Sequence, residues 1–407
     1  MSTTPKPAIT EKYHFRREIG RGAYGSVWAA KELATQRDVA VKKVGARNFN
    51  ETILTKRALR EIKLLRHLNG HDNIALLIDV EINSNTSNFT ELYVVEGIME
   101  ADLNQIIQSG QQLTKQHFQY FLYQLLRGLK WMHSANIIHR DLKPGNLLVN
   151  SDCELRICDF GLARGISDVN SHLVNTEYVA TRYYRAPEVV LSPKHYTKAI
   201  DLWSVGCIFG EMLTGRVLFK GADYIDQLEK IFKVLGTPQD PALTRLCSSR
   251  VFKYLRAWPK RSKMPLEQAF PRADAEGLDF IDKLLVFDAS HRITADEALA
   301  HPFLAVYHFS DDEPSHPALF DFGFEEAKTI EEIKELIVTE VAEFKKSQQH
   351  PTPEAFKSPV RTQLSKGPEI DEKAVQDLPR YEEEIAPDGP NSLEEELQIR
   401  DLNIRND

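Results

Sequence analysis

Cysteine is scarce in this 407-residue chain: four residues, Cys153, Cys158, Cys207 and Cys247, with no Cys-x-x-Cys pair among them. That spacing argues against a disulfide framework and against a zinc site. Long apolar runs are missing as well. No stretch reaches membrane-spanning length, and Met1 to Thr10 has neither the charged nor the apolar region of a signal peptide, so an intracellular chain with no membrane partner is expected. No basic stripe or aromatic-interleaved patch marks nucleic acid as a primary ligand. Net charge is −8, but residues 351–407 hold 14 acidic and 7 basic side chains and so account for −7 of it, leaving the remainder nearly neutral. The same stretch carries prolines, the runs Glu382-Glu383-Glu384 and Glu394-Glu395-Glu396, and few aromatics. Its apolar surface is too small to offset the entropy of ordering, so residues 347–407 are expected to form an acidic, disordered tail.

The most informative stretch is His139-Arg140-Asp141-Leu142-Lys143-Pro144-Gly145-Asn146, followed by Asp159-Phe160-Gly161. An isolated Asp or Asn in a Pro/Gly loop usually makes turn contacts. Here three oxygen-bearing side chains recur at a joint spacing that suits transfer of a nucleotide γ-phosphoryl: Asp141 to orient an attacking hydroxyl, Asn146 and Asp159 to hold Mg²⁺ with hard oxygen donors.

Upstream, Gly20-Arg21-Gly22-Ala23-Tyr24-Gly25-Ser26-Val27 lets backbone approach phosphates closely. A lone GxGxxG is weak evidence and also fits a dinucleotide-binding turn, which requires its last glycine to open a helix. Instead, Ser26 to Lys31 and Asp38 to Val44 read as two strands joined by the polar stretch Glu32 to Arg37. The second strand presents Lys42 toward the space beneath the glycine loop, with Lys43 on the opposite face. Leu54, Ala58, Ile62 and Leu65 recur at helical spacing over Leu54 to Leu68, and leave Glu61 beside the buried stripe as a partner for Lys42.

From Gly20 through Ala186-Pro187-Glu188 to Arg292, these motifs resemble the protein kinases, in the family's order. Thr176-Glu177-Tyr178, inside the segment between Asp159 and Glu188, resembles the activation segment of ERK-type mitogen-activated protein kinases. The resemblance implies an α+β, bilobal protein kinase fold with a small β-rich N-lobe and a larger, mainly α-helical C-lobe. It implies a proline-directed serine/threonine kinase that uses ATP and Mg²⁺ in cytoplasm and nucleus. In it Lys42 holds phosphates, Glu61 positions Lys42, Asp141 orients the hydroxyl and Lys143 steadies the transferred group. Gly20, Arg21, Gly22, Ala23, Tyr24, Gly25, Val27 and Met99 complete the ATP site. An upstream dual-specificity MAP kinase kinase would phosphorylate Thr176 and Tyr178. Arg60, Arg140 and Arg164 would gather the first phosphate, and Arg182 and Arg185 the second, because each phosphate adds close to two charges and three strong acceptors. Asp201 is expected to brace the catalytic loop, and Glu188 to pair with Arg292.

Ala58-Leu59-Arg60-Glu61-Ile62-Lys63, Met99-Glu100-Ala101-Asp102-Leu103 and Leu142 to Asn150 resemble the fungal cell-wall-integrity branch, with Gly145 and Glu96 as distinguishing features. Three departures from the family pattern stand out. Tyr183 replaces a tryptophan. Phe309 replaces the first acidic residue of the docking patch, leaving Asp311, Asp312 and Glu313 to receive basic docking motifs of substrates and phosphatases. The loop around Asp168-Val169-Asn170-Ser171-His172 lacks a flanking acidic run. The expected organisation is a flexible N-terminus over 1–12 and a kinase domain over 13–304, with lobes of about 13–98 and 99–304. A docking patch and C-terminal extension follow over 305–346, where Ile330, Ile333, Ile337 and Val341 keep helical spacing. The rival from another class is a non-catalytic, kinase-like scaffold; intact Lys42, Asp141, Asn146 and Asp159 argue against it.

Overall fold

The structure, a computed structural model, describes residues 9–22, 25–166, 182–191, 196–349, 368–374 and 392–398. Ala23, Tyr24, Thr176 and Tyr178 lie outside the described residues. The strands are β1 Tyr13–Gly22, β2 Gly25–Glu32, β3 Asp38–Val44, β4 Leu77–Ile82, β5 Leu92–Gly97, β6 Ala101–Asp102, β7 Ile137–Ile138, β8 Leu147–Val149, β9 Leu155–Ile157 and β10 Arg164–Gly165. The first helices are α1 Ile9–Lys12, α2 Thr52–Leu68, α3 Leu103–Gln108, α4 Lys115–Ser134, α5 Pro187–Leu191, α6 Ala199–Thr214 and α7 Tyr224–Leu235. The remainder are α8 Asp240–Leu246, α9 Ser249–Arg256, α10 Leu266–Ala269, α11 Ala275–Leu284, α12 Ala295–Leu299 and α13 Ile330–Gln349.

The described residues fall into two compact units. The first is drawn from Met1–Ser109, Gly145–Ala163 and Ala318–Glu383; the second from Gly110–Pro144, Arg164–Pro317 and Glu384–Asp407. The first carries a five-stranded antiparallel sheet in the order β1-β2-β3-β5-β4 and a smaller sheet β6-β8-β9. Alternation explains the central strand: Val39 and Val41 of β3 are buried on one face, and Lys42, paired with Val27 and Val94, projects from the other, which it shares with Val44. On α2, Ala58, Ile62, Leu65 and Leu68 are buried at 3- and 4-residue intervals, as its sequence spacing requires. Helix α13 packs against α2, with Ile333, Ile337 and Val341 buried and Glu340 holding Lys63 at 2.7 Å and Arg66 at 2.9 Å.

Two expectations for the termini are corrected here. Residues 9–12 are helical rather than flexible, because Ile9 inserts among Tyr13, Val39 and Tyr93 while Lys12 pairs with Asp79 at 3.0 Å and Glu81 at 2.6 Å. Two pieces of the acidic tail are also ordered. Ile370 is buried and donates its N–H to the Ser151 carbonyl at 3.0 Å, and residues 392–398 contain a helical turn with Leu393 and Leu397 buried. A few apolar anchors suffice to order short segments inside a polar stretch, which averaged composition hides.

The second unit is mainly helical. Its α4 buries Phe118, Phe121, Leu122, Leu125 and Leu129, so that aromatic stripe is core. Arg292 donates to both Glu188 oxygens, at 2.7 and 2.9 Å, and to the Val286 carbonyl at 3.0 Å, with both partners fully buried. Glu188→Ala leaves that guanidinium buried and uncompensated, so denaturant unfolding is expected to show a loss of about 3–5 kcal/mol.

Candidate active site

In the first unit β1 and β2 form the glycine hairpin, Gly20 facing Val27 and Gly22 facing Gly25. Gly25 is obligatory for the chain's own packing: at φ +153° an added Cβ would stand 2.1 Å from the Lys43 carbonyl oxygen. At Gly22 an added Cβ would meet nothing within 4 Å, so that position faces open space. Arg21 turns back to Glu18 at 2.7 Å, and Met99 is buried.

Beneath the hairpin, Lys42 Nζ donates to Glu61 Oε1 at 2.5 Å. Burial alone would push the Lys42 ammonium down, but Glu61, Asp159 and Glu96 outweigh it and hold its pKa above the ordinary lysine value. Burial raises the Glu61 carboxyl, with Lys42 opposing and Asp159 adding to the rise. Lys42, Glu61 and Asp159 line one small cavity together with Arg57 and Gly161. Asp159 has a left-handed backbone, φ 60°, a conformation that non-glycine residues hold only where the surroundings enforce it. The Cys158 N–H donates to the Asn146 carbonyl at 3.0 Å, which ties the Asp159 loop to Asn146. Burial also lifts the Cys158 thiol well above its ordinary value, so it is no thiolate nucleophile.

In the second unit Asp201 organises the loop before Asn146. Its carboxylate accepts from the His139 N–H at 2.9 Å, the Arg140 N–H at 2.9 Å and His133 Nε2 at 2.8 Å. Burial would raise its pKa, but these bonds hold it below the ordinary aspartate value. With Arg140 clamped at φ 70°, Asp141 and Lys143 are buried and paired at 3.1 Å. The Arg140 guanidinium lies over the Tyr196 ring, and β10 sets Arg164 opposite Ile138, two residues before Arg140. Arg182 and Arg185 both stand over the Tyr224 ring, at 5.6 and 5.7 Å.

A family described as the protein kinase domain matches residues 13–304. The chain is 53% identical over 340 residues to the mitogen-activated protein kinase mpkA of Aspergillus fumigatus, covering 83% of this chain and 80% of that one. It is 53% identical over 343 residues to the mitogen-activated protein kinase spm1 of Schizosaccharomyces pombe, covering 83% and 81%. To the mitogen-activated protein kinase SLT2/MPK1 of Saccharomyces cerevisiae the figure is 49% over 343 residues, covering 83% and 71%. The chain belongs to the mitogen-activated branch of the protein kinase family.

This kinase is therefore an ATP-dependent serine/threonine enzyme in a signalling cascade, not a non-catalytic scaffold. The family uses ATP with a divalent metal, and membership implies upstream kinases and protein substrates. Among the described residues no helix is long and apolar enough to cross a membrane.

The kinase structure narrows two of the residue expectations. Of the docking acids only Asp311 is exposed. Asp312 is buried against Arg127 at 3.2 Å, and Glu313 is buried against His308 at 2.8 Å with Lys130 at 4.0 Å, so neither can take a basic peptide without releasing its partner. Arg60 is fully buried and already bonded to Glu325, at 2.5 and 2.9 Å, and to the Gly161 carbonyl. A phosphate there must displace a carboxylate. Nothing local announces Glu325, which lies 265 positions from Arg60.

Glu96 carries the other unforeseen property. Desolvation, with Glu61 and Asp159 adding and Lys42 opposing, raises its carboxyl from 4.5 to about 7. The folded kinase thus binds this proton where the unfolded chain has lost it, so stability falls as pH climbs from 4.5 through about 7. Glu96→Gln is expected to raise Tm by about 2–4 °C at pH 8 and by less at pH 5, as differential scanning fluorimetry will read.

Proposed function

We propose that this kinase transfers the ATP γ-phosphoryl to Ser or Thr hydroxyls that precede proline, after dual phosphorylation at Thr176 and Tyr178, in a pathway of the cell-wall-integrity type. The observation that carries the reading is the 2.5 Å Lys42–Glu61 contact in a cavity shared with Asp159. A cation held above its ordinary pKa beside two carboxylates suits a polyphosphate and its metal. The open space at Gly22 suits close approach of phosphate oxygens to backbone N–H groups.

In this reading Lys42 neutralises phosphate charge and Glu61 fixes its position. Asn146 and Asp159, an amide and a carboxylate tied together through the Cys158 N–H, form a hard-oxygen set that fits Mg²⁺. The metal would neutralise charge on the transferring group. Asp141 accepts the proton of the attacking hydroxyl, and Lys143, paired to it at 3.1 Å, steadies the developing charge. Gly20, Arg21, Gly22, Ala23, Tyr24, Gly25 and Val27 cover the phosphates, and Met99 lies at the adenine edge.

Phosphothreonine at 176 is read as the ligand of Arg140, Arg164 and Arg60, the last after release of Glu325, and phosphotyrosine at 178 as that of Arg182 and Arg185. Asp311, with Asp312 and Glu313 after exchange of their internal partners, would receive basic docking motifs of substrates and phosphatases. Cytoplasm and nucleus are the proposed compartments. An upstream dual-specificity kinase is expected to raise Ser-Pro peptide phosphorylation strongly over the unmodified chain. Equal activity of the unmodified and doubly phosphorylated forms contradicts this part of the reading.

A further inference from the structure

Residues 392–398 lie far beyond the catalytic domain, yet they are seated on the second unit. Ser392 and Leu393 are 1% and 0% exposed, and Glu396 and Leu397 are each 6% exposed. Leu393 and Leu397 are four residues apart in a helical turn, so they share one face, and Ser392 caps that turn, its Oγ accepting from the Glu395 N–H at 3.4 Å while its carbonyl takes the Glu396 N–H at 3.0 Å. The receiving surface matches the turn chemically. The Glu396 carboxylate accepts from the Tyr224 N–H at 2.9 Å, the first residue of the 12-residue helix α7, whose cap Asp223 serves Asp226 instead. A carboxylate thus satisfies an orphan donor at the positive end of a helix. Arg250 of α9 donates to the Leu397 carbonyl at 2.8 Å, and α9 also carries Lys253 and Arg256, so a basic helix receives a chain segment that carries Glu394, Glu395 and Glu396.

We propose that the start of α7 together with α9 forms a docking groove for a short acidic helix of pattern Ser-Leu-x-x-Glu-Leu, and that residues 392–398 are its resident occupant, bound in cis. The groove is built from three kinds of interaction. A fully buried leucine supplies the anchor, a carboxylate caps α7 and an arginine caps the carbonyl end. Its floor, Tyr224, also lies beneath Arg182 and Arg185, so the occupant sits beside the two arginines read above as ligands of phosphotyrosine 178. A tethered occupant acts at an effective concentration on the order of millimolar, so a separate acidic helix gains the groove only when the tail is weakened or removed.

The test uses the full chain and the same chain with Leu393→Asp and Leu397→Asp, both changes lying outside the matched domain. Amide hydrogen exchange at Tyr224 is expected to be at least about tenfold faster in the variant, with α6 unchanged as the control for folding of the body. A fluorescein-labelled peptide of residues 389–399 is expected to bind the variant at least about tenfold more tightly than the unaltered chain, and to lose that binding when the peptide itself carries the two aspartates. Equal exchange at Tyr224 in the two chains, or equal peptide binding by them, overturns the proposal.

Discussion

Asp141→Asn is expected to lower kcat by about 10³-fold while nucleotide affinity stays within about twofold, because positioned general bases contribute roughly 10²–10⁴-fold and an amide cannot accept the proton. The substitution is nearly isosteric. The loop should keep its shape, since its frame is set by Asp201 through the His139 and Arg140 N–H groups rather than by the Asp141 side chain. Single-turnover transfer to a Ser-Pro peptide separates this from a binding defect. A variant that loses nucleotide binding in parallel with rate would show that Asp141 supports the loop and nothing more.

The second large effect concerns the Lys42–Glu61 pair. Lys42→Met and Glu61→Gln are each expected to reduce kcat/KM by about 10²–10³-fold, the usual loss when a charge-stabilising donor or its support is removed. The double variant is expected to lose no more than the worse single one, because Glu61 acts through Lys42 and the two are one functional element. Multiplicative losses would mean that Glu61 does something independent of the lysine. Once Lys42 is gone, the carboxyl of Glu61 loses the charge that was opposing its rise, so its pKa is expected to climb further.

Much of the site could be read from residues because its motifs report local geometry. Strand alternation puts Lys42 and Lys43 on opposite faces and Glu61 as a partner singles out Lys42; the structure pairs Lys42 with Glu61 and Lys43 with Glu91. The apolar spacing of α2 and α13 likewise gave their buried faces, and the pairing of Glu188 with Arg292 followed the resemblance. Other features depend on contacts between distant positions, where no local pattern exists. Arg60 offers its fork to any anion, and only the fold brings Glu325 to it. Asp312 and Glu313 look like surface charge until Arg127, His308 and Lys130 are found around them. The tail follows a related rule: net charge averages over 57 residues, whereas the order of 392–398 rests on a few of them, Leu393, Glu396 and Leu397. Glu96 combines both cases, a plain acidic residue at the end of β5 whose proton affinity is set by burial and by Glu61 and Asp159.

Isothermal titration of the purified kinase with ATP, with and without Mg²⁺, tests the account most directly. Binding that strengthens at least about tenfold with Mg²⁺, and that loses this gain in Asp159→Asn, is the predicted result. ATP binding indifferent to Mg²⁺, or a metal dependence unchanged in Asp159→Asn, would contradict the assignment of Asn146 and Asp159 as the metal-holding pair beside Lys42.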